Sequence, residues 1–279
     1  MNRRRKKAII ISISSDIGIA IAQRWLKNGW DIYGTYRNKS DSVEELGEKG
    51  VKLVHCDLSN NHSVKGACLK IKNMCSSWDN LILAPGTQEP VGPFENCDFN
   101  EWADSIQVNF TNQLRIVYEL LHNRNKGNEL GACVLFFAGG GTNSATENYS
   151  AYTISKIALI KMCELLDTEI PDVRFTIVGP GWVKTKIHEA TLEAGIRAGD
   201  NYEKTKQKLN SDELTPMKDV IDCCDWLIDS RREIISARNF SVVFDCWGTE
   251  KLIGLLENDE NMYKLRRKGN KKLVKNEGK

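Results

Sequence analysis

Short apolar runs alternate with amphipathic stretches along most of the chain. Seven runs rich in β-branched or aromatic residues have the length of buried strands: residues 8–13, 30–36, 51–55, 80–84, 132–138, 173–179 and 240–244. Between them, apolar residues recur at helical spacing in residues 17–28, 62–75, 99–122 and 149–169. The pattern therefore predicts strands that alternate with helices.

This alternation predicts an α/β fold, with a doubly wound (Rossmann-type) parallel sheet of about seven strands and helices on both faces. Residues 1–263 are predicted to form a single domain of this type, with an insert at 183–215 that could act as a lid. Residues 264–279 are predicted to be a basic tail. Such sheets bind ligands beyond the carboxyl ends of their strands, so the residues that follow each strand are the candidates for a site.

Charge is distributed unevenly over the 279 residues, although the net charge is only +2. Residues 1–7 carry five basic side chains and residues 264–279 carry eight against one acid, so the body between them is acidic. A nucleic-acid-binding domain would carry its basic residues on the folded surface, so we expect no nucleic-acid partner. No apolar run approaches the roughly 18 residues of a membrane span. We therefore expect a soluble, cytoplasmic protein.

Cysteine spacing gives no sign of a metal site. The nine Cys residues contain no C-x-x-C pair, and their number is odd. Without zinc-type spacing or a secretion signal, neither a metal centre nor a disulfide framework is expected. Most of these residues are predicted to be buried, reduced thiols.

The turn after the first strand has the chemistry of a phosphate site but few of its glycines. Ser12, Ser14 and Ser15 can donate hydroxyl hydrogen bonds at the start of the next helix, and Asp16 or Ser15 can cap that helix. Gly18 is the one glycine of this turn. By itself the segment is compatible with a nucleotide site or with an ordinary capped turn.

The end of the second strand bears on the choice of cofactor. A carboxylate there would bind a ribose 2′-hydroxyl, whereas an arginine would bind a 2′-phosphate. The segment contains Arg37 and no acid, so a dinucleotide site would favour NADP, and otherwise Arg37 is a surface residue. Asp57 follows the third strand and could accept a hydrogen bond from an adenine amino group or cap the next turn.

Tyr152 and Lys156 lie four residues apart in a predicted helix. This spacing places both side chains on one face. An ammonium group beside a phenol favours phenolate, so we expect Lys156 to lower the pKa of Tyr152 and make it a usable acid or base near neutral pH. A Y-x-x-x-K pair also occurs by chance, and its significance depends on its place after the fifth strand.

These segments together resemble the short-chain dehydrogenase/reductase family over about residues 7–246. The family's T-G-x-x-x-G-I-G turn is similar to residues 11–18, in which Ser12 and Asp16 replace glycines. Its N-N-A-G motif corresponds to residues 83–86, its helix asparagine to Asn109, and its P-G-x-x-x-T motif to residues 180–185.

The resemblance implies a site and a cofactor. It implies catalytic roles for Tyr152, Lys156 and Asn109, with NADP as the cofactor and NAD as the alternative. The implied cofactor-binding residues are Ser12, Ser14, Ser15, Ile17, Gly18, Arg37, Asp57, Leu58, Ala84, Gly86, Tyr152, Lys156, Pro180, Gly181, Val183 and Thr185. Residues 99–122 and 149–169 would pair across the interface of a homodimer or homotetramer.

One family residue is missing. The family carries a catalytic serine at the end of the fifth strand, where this chain has Phe137, Ala138, Gly139 and Gly140. Thr142 and Ser144 are the nearest hydroxyls in the sequence. Loss of the serine's hydrogen bond to a substrate carbonyl would cost about 10²–10³ in rate.

The resemblance leaves the substrate open. The insert contains His188, Arg197 and Tyr202, which suit a charged or polyhydroxylated substrate, and His188 is expected to be a surface or capping residue. Residues 238–247 are similar to the end of family members of surface-polysaccharide pathways, which favours a sugar or glycan precursor as the substrate of NADP(H)-dependent hydride transfer. The alternatives are a general keto- or acyl-thioester reductase and a non-catalytic dinucleotide-binding protein.

Overall fold

A seven-stranded parallel sheet forms the centre of the protein in the computed structural model, which describes residues 4–268. The strands are β1 (Lys7–Ile11), β2 (Asp31–Tyr36), β3 (Lys52–His55), β4 (Asn80–Leu83), β5 (Ala132–Phe137), β6 (Val173–Gly179) and β7 (Asn239–Ser241). Their order is β3-β2-β1-β4-β5-β6-β7, and each neighbouring pair is parallel. The predicted doubly wound fold is confirmed.

Helices cover both faces of this sheet. They are α1 (Asp16–Lys27), α2 (Asp41–Glu48), α3 (Asn61–Met74), α4 (Phe99–Ile106), α5 (Asn112–Leu120), α6 (Ser150–Glu169), α7 (Glu189–Ala194), α8 (Asp200–Leu209), α9 (Met217–Asp229), α10 (Arg232–Ile235) and α11 (Glu250–Asn258). Alternate residues of β1 enter different cores, since Ile9 and Ile11 pack in one layer and Ala8 and Ile10 in the other. Among residues 4–268, no helix is both long enough and apolar enough to cross a membrane.

Several predicted boundaries shift in the structure. The first strand ends at Ile11 because Ser12 has a φ of 56°, which is outside the extended region. The last strand ends at Ser241 rather than at residue 244, since the Asp245 carboxylate accepts a hydrogen bond from the Ser241 N–H and turns the chain. Helix α2 was not predicted, and it is short, with only Val43 and Leu46 buried.

The long amphipathic stretch at 99–122 is not one regular helix. A π-helical turn at Gln107–Thr111 separates α4 from α5, and Asn109 lies inside it. Such turns occur most often at functional sites. Sequence periodicity predicted the helical character of this stretch but not the interruption.

The insert at 183–215 contains α7, α8 and two short 3₁₀ turns, so it is largely helical. The predicted basic tail at 264–279 lies mostly outside the described residues, which end at Lys268. Within the described part, Arg266 forms a bidentate ion pair with Glu164 on α6.

Candidate active site

A groove of about 1600 Å³ runs along the carboxyl edge of the sheet. It is lined by all but two of the predicted site residues: Ser12, Ser14, Ser15, Ile17, Arg37, Asp57, Leu58, Ala84, Gly86, Tyr152, Lys156, Pro180, Gly181, Val183 and Thr185. The two exceptions, Gly18 and Asn109, lie behind its walls and shape them. Residues from five loops and from helix α6 therefore meet at one edge, as parallel strands require.

The first turn presents the start of α1 to this groove. Ser15 is the N-cap of α1, and its hydroxyl accepts a hydrogen bond from Gly18 N–H at 3.1 Å. A Cβ on Gly18 would lie 2.7 Å from the Ser12 carbonyl oxygen, so only glycine allows the helix to approach the turn this closely. Because the first N–H groups of a helix have no intrahelical partners, this end of α1 can bind an anion.

The far end of the groove carries Arg37 and Asp57. Arg37 is exposed after β2, and its charge contributes to a lowered pKa for Asp57. The main cause of that lowering is a hydrogen bond from the Ser59 N–H to Asp57 Oδ1 at 2.9 Å. Asp57 therefore caps the turn with one carboxylate oxygen.

Lys156 is buried at the floor of the groove. Its Nζ donates hydrogen bonds to the carbonyl oxygens of Phe137 at 3.1 Å and Pro85 at 3.2 Å, which join the ends of β5 and β4. Burial lowers the pKa of Lys156 to about 8. A Cβ on Gly86 would stand 3.3 Å from Ile187 Cδ1 and 3.8 Å from this Nζ, so its tightest contact would be with Ile187 and not with the ammonium group.

Tyr152 lies beside Lys156, with the lysine Nζ 5.7 Å from the centre of the phenol ring. The expected lowering of the Tyr152 pKa is not observed. Burial instead raises the pKa of Tyr152 to about 12. At this distance the lysine charge does not compensate for the removal of phenolate from water, so the phenol is protonated at neutral pH.

The position of the missing serine is occupied by the tyrosine itself. A Cβ on Gly139 would lie 2.6 Å from Tyr152 Oη and 2.7 Å from its Cε1. Of the hydroxyls in the following loop, Thr146 Oγ1 approaches the glycine turn, 3.9 Å from a Cβ on Gly140. Thr142 and Ser144, the nearest hydroxyls in the sequence, also line the groove, whereas the sequence did not indicate Thr146, because spacing does not show how the loop folds back.

Asn109 supports the groove from behind. Its side chain accepts a hydrogen bond from Thr87 N–H at 3.0 Å and donates to the Thr87 carbonyl oxygen at 2.8 Å and to Ser105 Oγ at 3.2 Å. This fully buried amide fixes the loop after β4 against the π-helical turn. None of these hydrogen bonds of the Asn109 side chain involves Lys156 or Tyr152.

The loop after β6 forms the opposite wall. Gly181 has a φ of 78°, and a Cβ there would lie 2.5 Å from Thr215 Oγ1, so the position requires glycine. Farther along, the Lys186 N–H donates to Asp16 Oδ2 at 2.9 Å and connects this wall to the first turn.

The insert forms the wall of the groove near Tyr152, since Ala190, Ala194 and Tyr152 pack in one apolar cluster, and we call this part of the groove the insert end. His188 is buried, stacks on Trp182 and is hydrogen-bonded through Nε2 to the Val183 carbonyl oxygen at 2.9 Å. Of the two expectations for it, a surface position is wrong, and it is the N-cap residue of α7 although its side chain makes no capping hydrogen bond. The Thr191 hydroxyl bonds to Tyr149 at 2.7 Å and donates to Gln88 at 2.9 Å. These contacts hold α7 over the groove.

Comparison with known proteins identifies the class. A family model described as Enoyl-(Acyl carrier protein) reductase matches residues 12–243, and the chain belongs to the short-chain dehydrogenase/reductase family. An uncharacterized oxidoreductase of Schizosaccharomyces pombe is 27% identical over 231 residues, which are 80% of this chain and 90% of that protein. The 3-oxoacyl-[acyl-carrier-protein] reductase FabG of Buchnera aphidicola is 29% identical over 200 residues, which are 68% of this chain and 78% of that protein.

Solved structures agree on the fold. A short chain dehydrogenase/reductase from Saccharomyces cerevisiae matches with a TM-score of 0.74 and 20% identity, over 88% of this chain and 98% of its own. An actinorhodin polyketide ketoreductase with NADPH matches with a TM-score of 0.73 and 18% identity, over 85% of this chain and 95% of its own. The protein is accordingly an oxidoreductase of this family, whose fold implies NAD(P) binding.

The residues of the groove fit such a dinucleotide. The close contact at Gly18 keeps the end of α1 open to a phosphate, and Arg37 places a positive charge at the far end. Tyr152 and Lys156 line the same groove, where β4 and β5 end.

Proposed function

We propose that the protein is an NADP-preferring oxidoreductase that transfers a hydride between NADP(H) and a carbonyl or hydroxyl carbon of a small-molecule substrate. The observation that carries the proposal is the placement of Tyr152 and a buried, hydrogen-bonded Lys156 in one groove with the amino end of α1. Lys156 would also serve a non-catalytic dinucleotide-binding protein, because it can hold a ribose, whereas the protonated Tyr152 phenol beside it favours an enzyme that transfers a proton.

Each wall of the groove would hold one part of the cofactor. The end of α1, with Ser12 and Ser14, would bind the pyrophosphate, and Arg37 would bind a 2′-phosphate. Lys156 would hold the nicotinamide ribose, and Thr185 the carboxamide. When bound, the nicotinamide supplies the hydride in reduction.

Proton transfer falls to Tyr152. Its phenol is protonated at neutral pH because burial raises its pKa to about 12, so Oη is suited to give a proton to the alkoxide oxygen that forms when a carbonyl is reduced. Lys156 keeps a positive charge near the phenolate that remains. These roles favour carbonyl reduction as the direction of the reaction.

The charged residues at the insert end of the groove indicate which class of substrate it can bind. Glu101 and Asp104 of α4 and Glu189 and Glu193 of α7 line the groove, and the basic residues of the insert that line it are Lys186 and Arg197. An excess of carboxylates disfavours a phosphorylated or otherwise anionic substrate. We propose a neutral, polyhydroxylated sugar or glycan precursor, and the relatives named 3-oxoacyl-[acyl-carrier-protein] reductase make a keto-acyl compound the second candidate.

A panel of carbonyl compounds tests the proposal. The purified protein is assayed for NADPH oxidation with neutral keto-sugars, phosphorylated sugars and 3-keto-acyl thioesters, beside the Tyr152→Phe variant. We expect turnover with the neutral class, a loss of about 10²–10⁴ in Tyr152→Phe and unchanged NADPH binding. Equal turnover in the variant would remove Tyr152 as the acid, and the absence of NADPH and NADH binding would refute the whole proposal.

The assembly and location of the enzyme are part of the same proposal. We propose a cytoplasmic homodimer or homotetramer in which the surfaces of α5 and α6 pair between subunits. Light scattering during size-exclusion chromatography measures the mass directly, and a monomer at micromolar concentration would contradict it.

A further inference from the structure

The first turn and the loop after β6 are joined across the groove by a single side chain. Asp16 is the first residue of α1, and its Oδ2 accepts a hydrogen bond from the Lys186 N–H at 2.9 Å. The two residues are 170 positions apart and belong to opposite walls of the groove, which both of them line. The carboxylate therefore spans the groove at the amino end of α1.

This end of α1 is also where a dinucleotide places its pyrophosphate in a doubly wound fold. The N–H groups of the first helical turn and the positive end of the helix dipole attract an anion. Asp16 supplies such an anion from within the chain. In the motif that residues 11–18 resemble, glycine stands at this position and supplies none.

Capping does not explain the aspartate. Ser15 already caps α1, through the hydrogen bond that its hydroxyl accepts from the Gly18 N–H. The Asp16 carboxylate is directed instead to Lys186, on the other side of the groove. Its bond also uses a backbone donor that would otherwise be free to bind a ligand phosphate.

We propose that the Asp16 carboxylate competes with the pyrophosphate of the dinucleotide, so that this residue sets how tightly the cofactor binds. The inference rests on the proposed function. Binding requires the Asp16 side chain to turn away from Lys186, because two anions at one helix end repel each other. The Lys186 amide is then released to the ligand.

Two substitutions at residue 16 separate the effect of the negative charge from that of the hydrogen bond to Lys186. Asp16→Gly removes the carboxylate and the bond, whereas Asp16→Asn removes the charge and keeps an oxygen that can accept from Lys186. Glu250→Gly is the matched control, since Glu250 is the first residue of α11 and does not line the groove. It reproduces the loss of an acid, and the gain of a glycine, at a helix start elsewhere.

Dissociation constants of NADPH and NADH are measured by calorimetry for the four proteins. We expect Asp16→Gly to bind NADPH at least about tenfold more tightly than the unaltered protein, a change typical of relieving one like-charge contact. Asp16→Asn should gain less, and Glu250→Gly should not change. Tighter binding in Asp16→Gly together with an unchanged control supports the proposal, and unchanged or weaker binding in Asp16→Gly overturns it.

A ligand without a pyrophosphate locates the effect. Adenosine 2′-phosphate would reach Arg37 but not the end of α1, so Asp16→Gly should leave its affinity unchanged. An equal gain for this ligand would overturn the proposal, because the carboxylate would then act on the groove as a whole.

Amide hydrogen exchange of the protein without any ligand tests the hydrogen bond between Lys186 and Asp16. The Lys186 N–H should exchange faster in Asp16→Gly than in the unaltered protein, since it loses its acceptor. Equal exchange rates would overturn the inference and leave the proposed function intact. If neither the unaltered protein nor Asp16→Gly binds NADPH or NADH, the proposed function itself fails.

Discussion

The hydroxyl of Tyr152 lies directly against the backbone of Gly139. A Cβ added to that glycine would stand 2.6 Å from the hydroxyl oxygen and 2.8 Å from Cζ. The residue that the family uses as a serine can therefore only be glycine while Tyr152 keeps this position. The absence of the serine and the position of Tyr152 therefore depend on each other.

Restoring the serine should impair the protein. We expect Gly139→Ser and Gly139→Ala to lower the free energy of unfolding by about 1–3 kcal/mol and to reduce turnover, because either Cβ displaces the phenol. Thermal unfolding and NADPH oxidation measure the two effects. Gly140→Ala is the control, since its Cβ meets only Thr146 Oγ1 at 3.9 Å. A Gly139→Ser variant with full stability and higher turnover would contradict this account of the site.

The burial of Lys156 should make stability depend on pH. Its pKa is about 8 in the folded protein and near 10.5 when exposed. Between these values the unfolded chain holds the proton that the folded protein has released, so stability rises with pH. Relative to Lys156→Met, the unaltered protein should gain up to about 3 kcal/mol from pH 8 to pH 10.5.

Urea unfolding at several pH values measures this difference. Lys251→Met, on the exposed surface of α11, is the control and should follow the unaltered protein at every pH. A constant difference between Lys156→Met and the unaltered protein across this range would mean that the lysine stays charged in the fold.

Arg37 should determine the choice between the two dinucleotides. Arg37→Asp is expected to weaken NADPH binding and strengthen NADH binding, since a carboxylate at the end of β2 accepts from a ribose hydroxyl and repels a 2′-phosphate. Lys39→Asp makes the same charge change two residues away, at a position that does not line the groove. The ratio of the two dissociation constants is the readout, and equal ratios in both variants would reduce Arg37 to a surface charge.

Asn109 should act as a positioning residue. Asn109→Ala leaves the N–H and carbonyl of Thr87 without their partners, and we expect it to lower the free energy of unfolding by about 2 kcal/mol or more. Turnover should fall as the loop after β4 loosens. Asn258→Ala loses one exposed hydrogen bond and should change stability by less than about 0.5 kcal/mol. Chemical denaturation measures the free energy of unfolding of both variants. An equal decrease in Asn109→Ala and Asn258→Ala would argue against a positioning role for Asn109.

Local patterning predicted most of the architecture. The apolar runs of β1 to β6 and the helical spacing of α1, α3 and α6 are short-range signals, and parallel pairing with crossover helices follows from their alternation. The exact strand ends and the π-helical turn were not predicted, because each depends on the backbone conformation of individual residues, such as the positive φ of Ser12.

Periodicity and the order of the motifs were enough to predict the fold class, the family resemblance and the loops that meet at the groove. How the side chains meet there depends on contacts between residues that are far apart in the chain. The contact of Tyr152 with Gly139, and the bond from Lys186 to Asp16, join residues 13 and 170 positions apart. Likewise the pKa of Tyr152 rises because burial outweighs the lysine that the spacing places beside it. Burial is a property of the whole packed chain, and no local spacing encodes it.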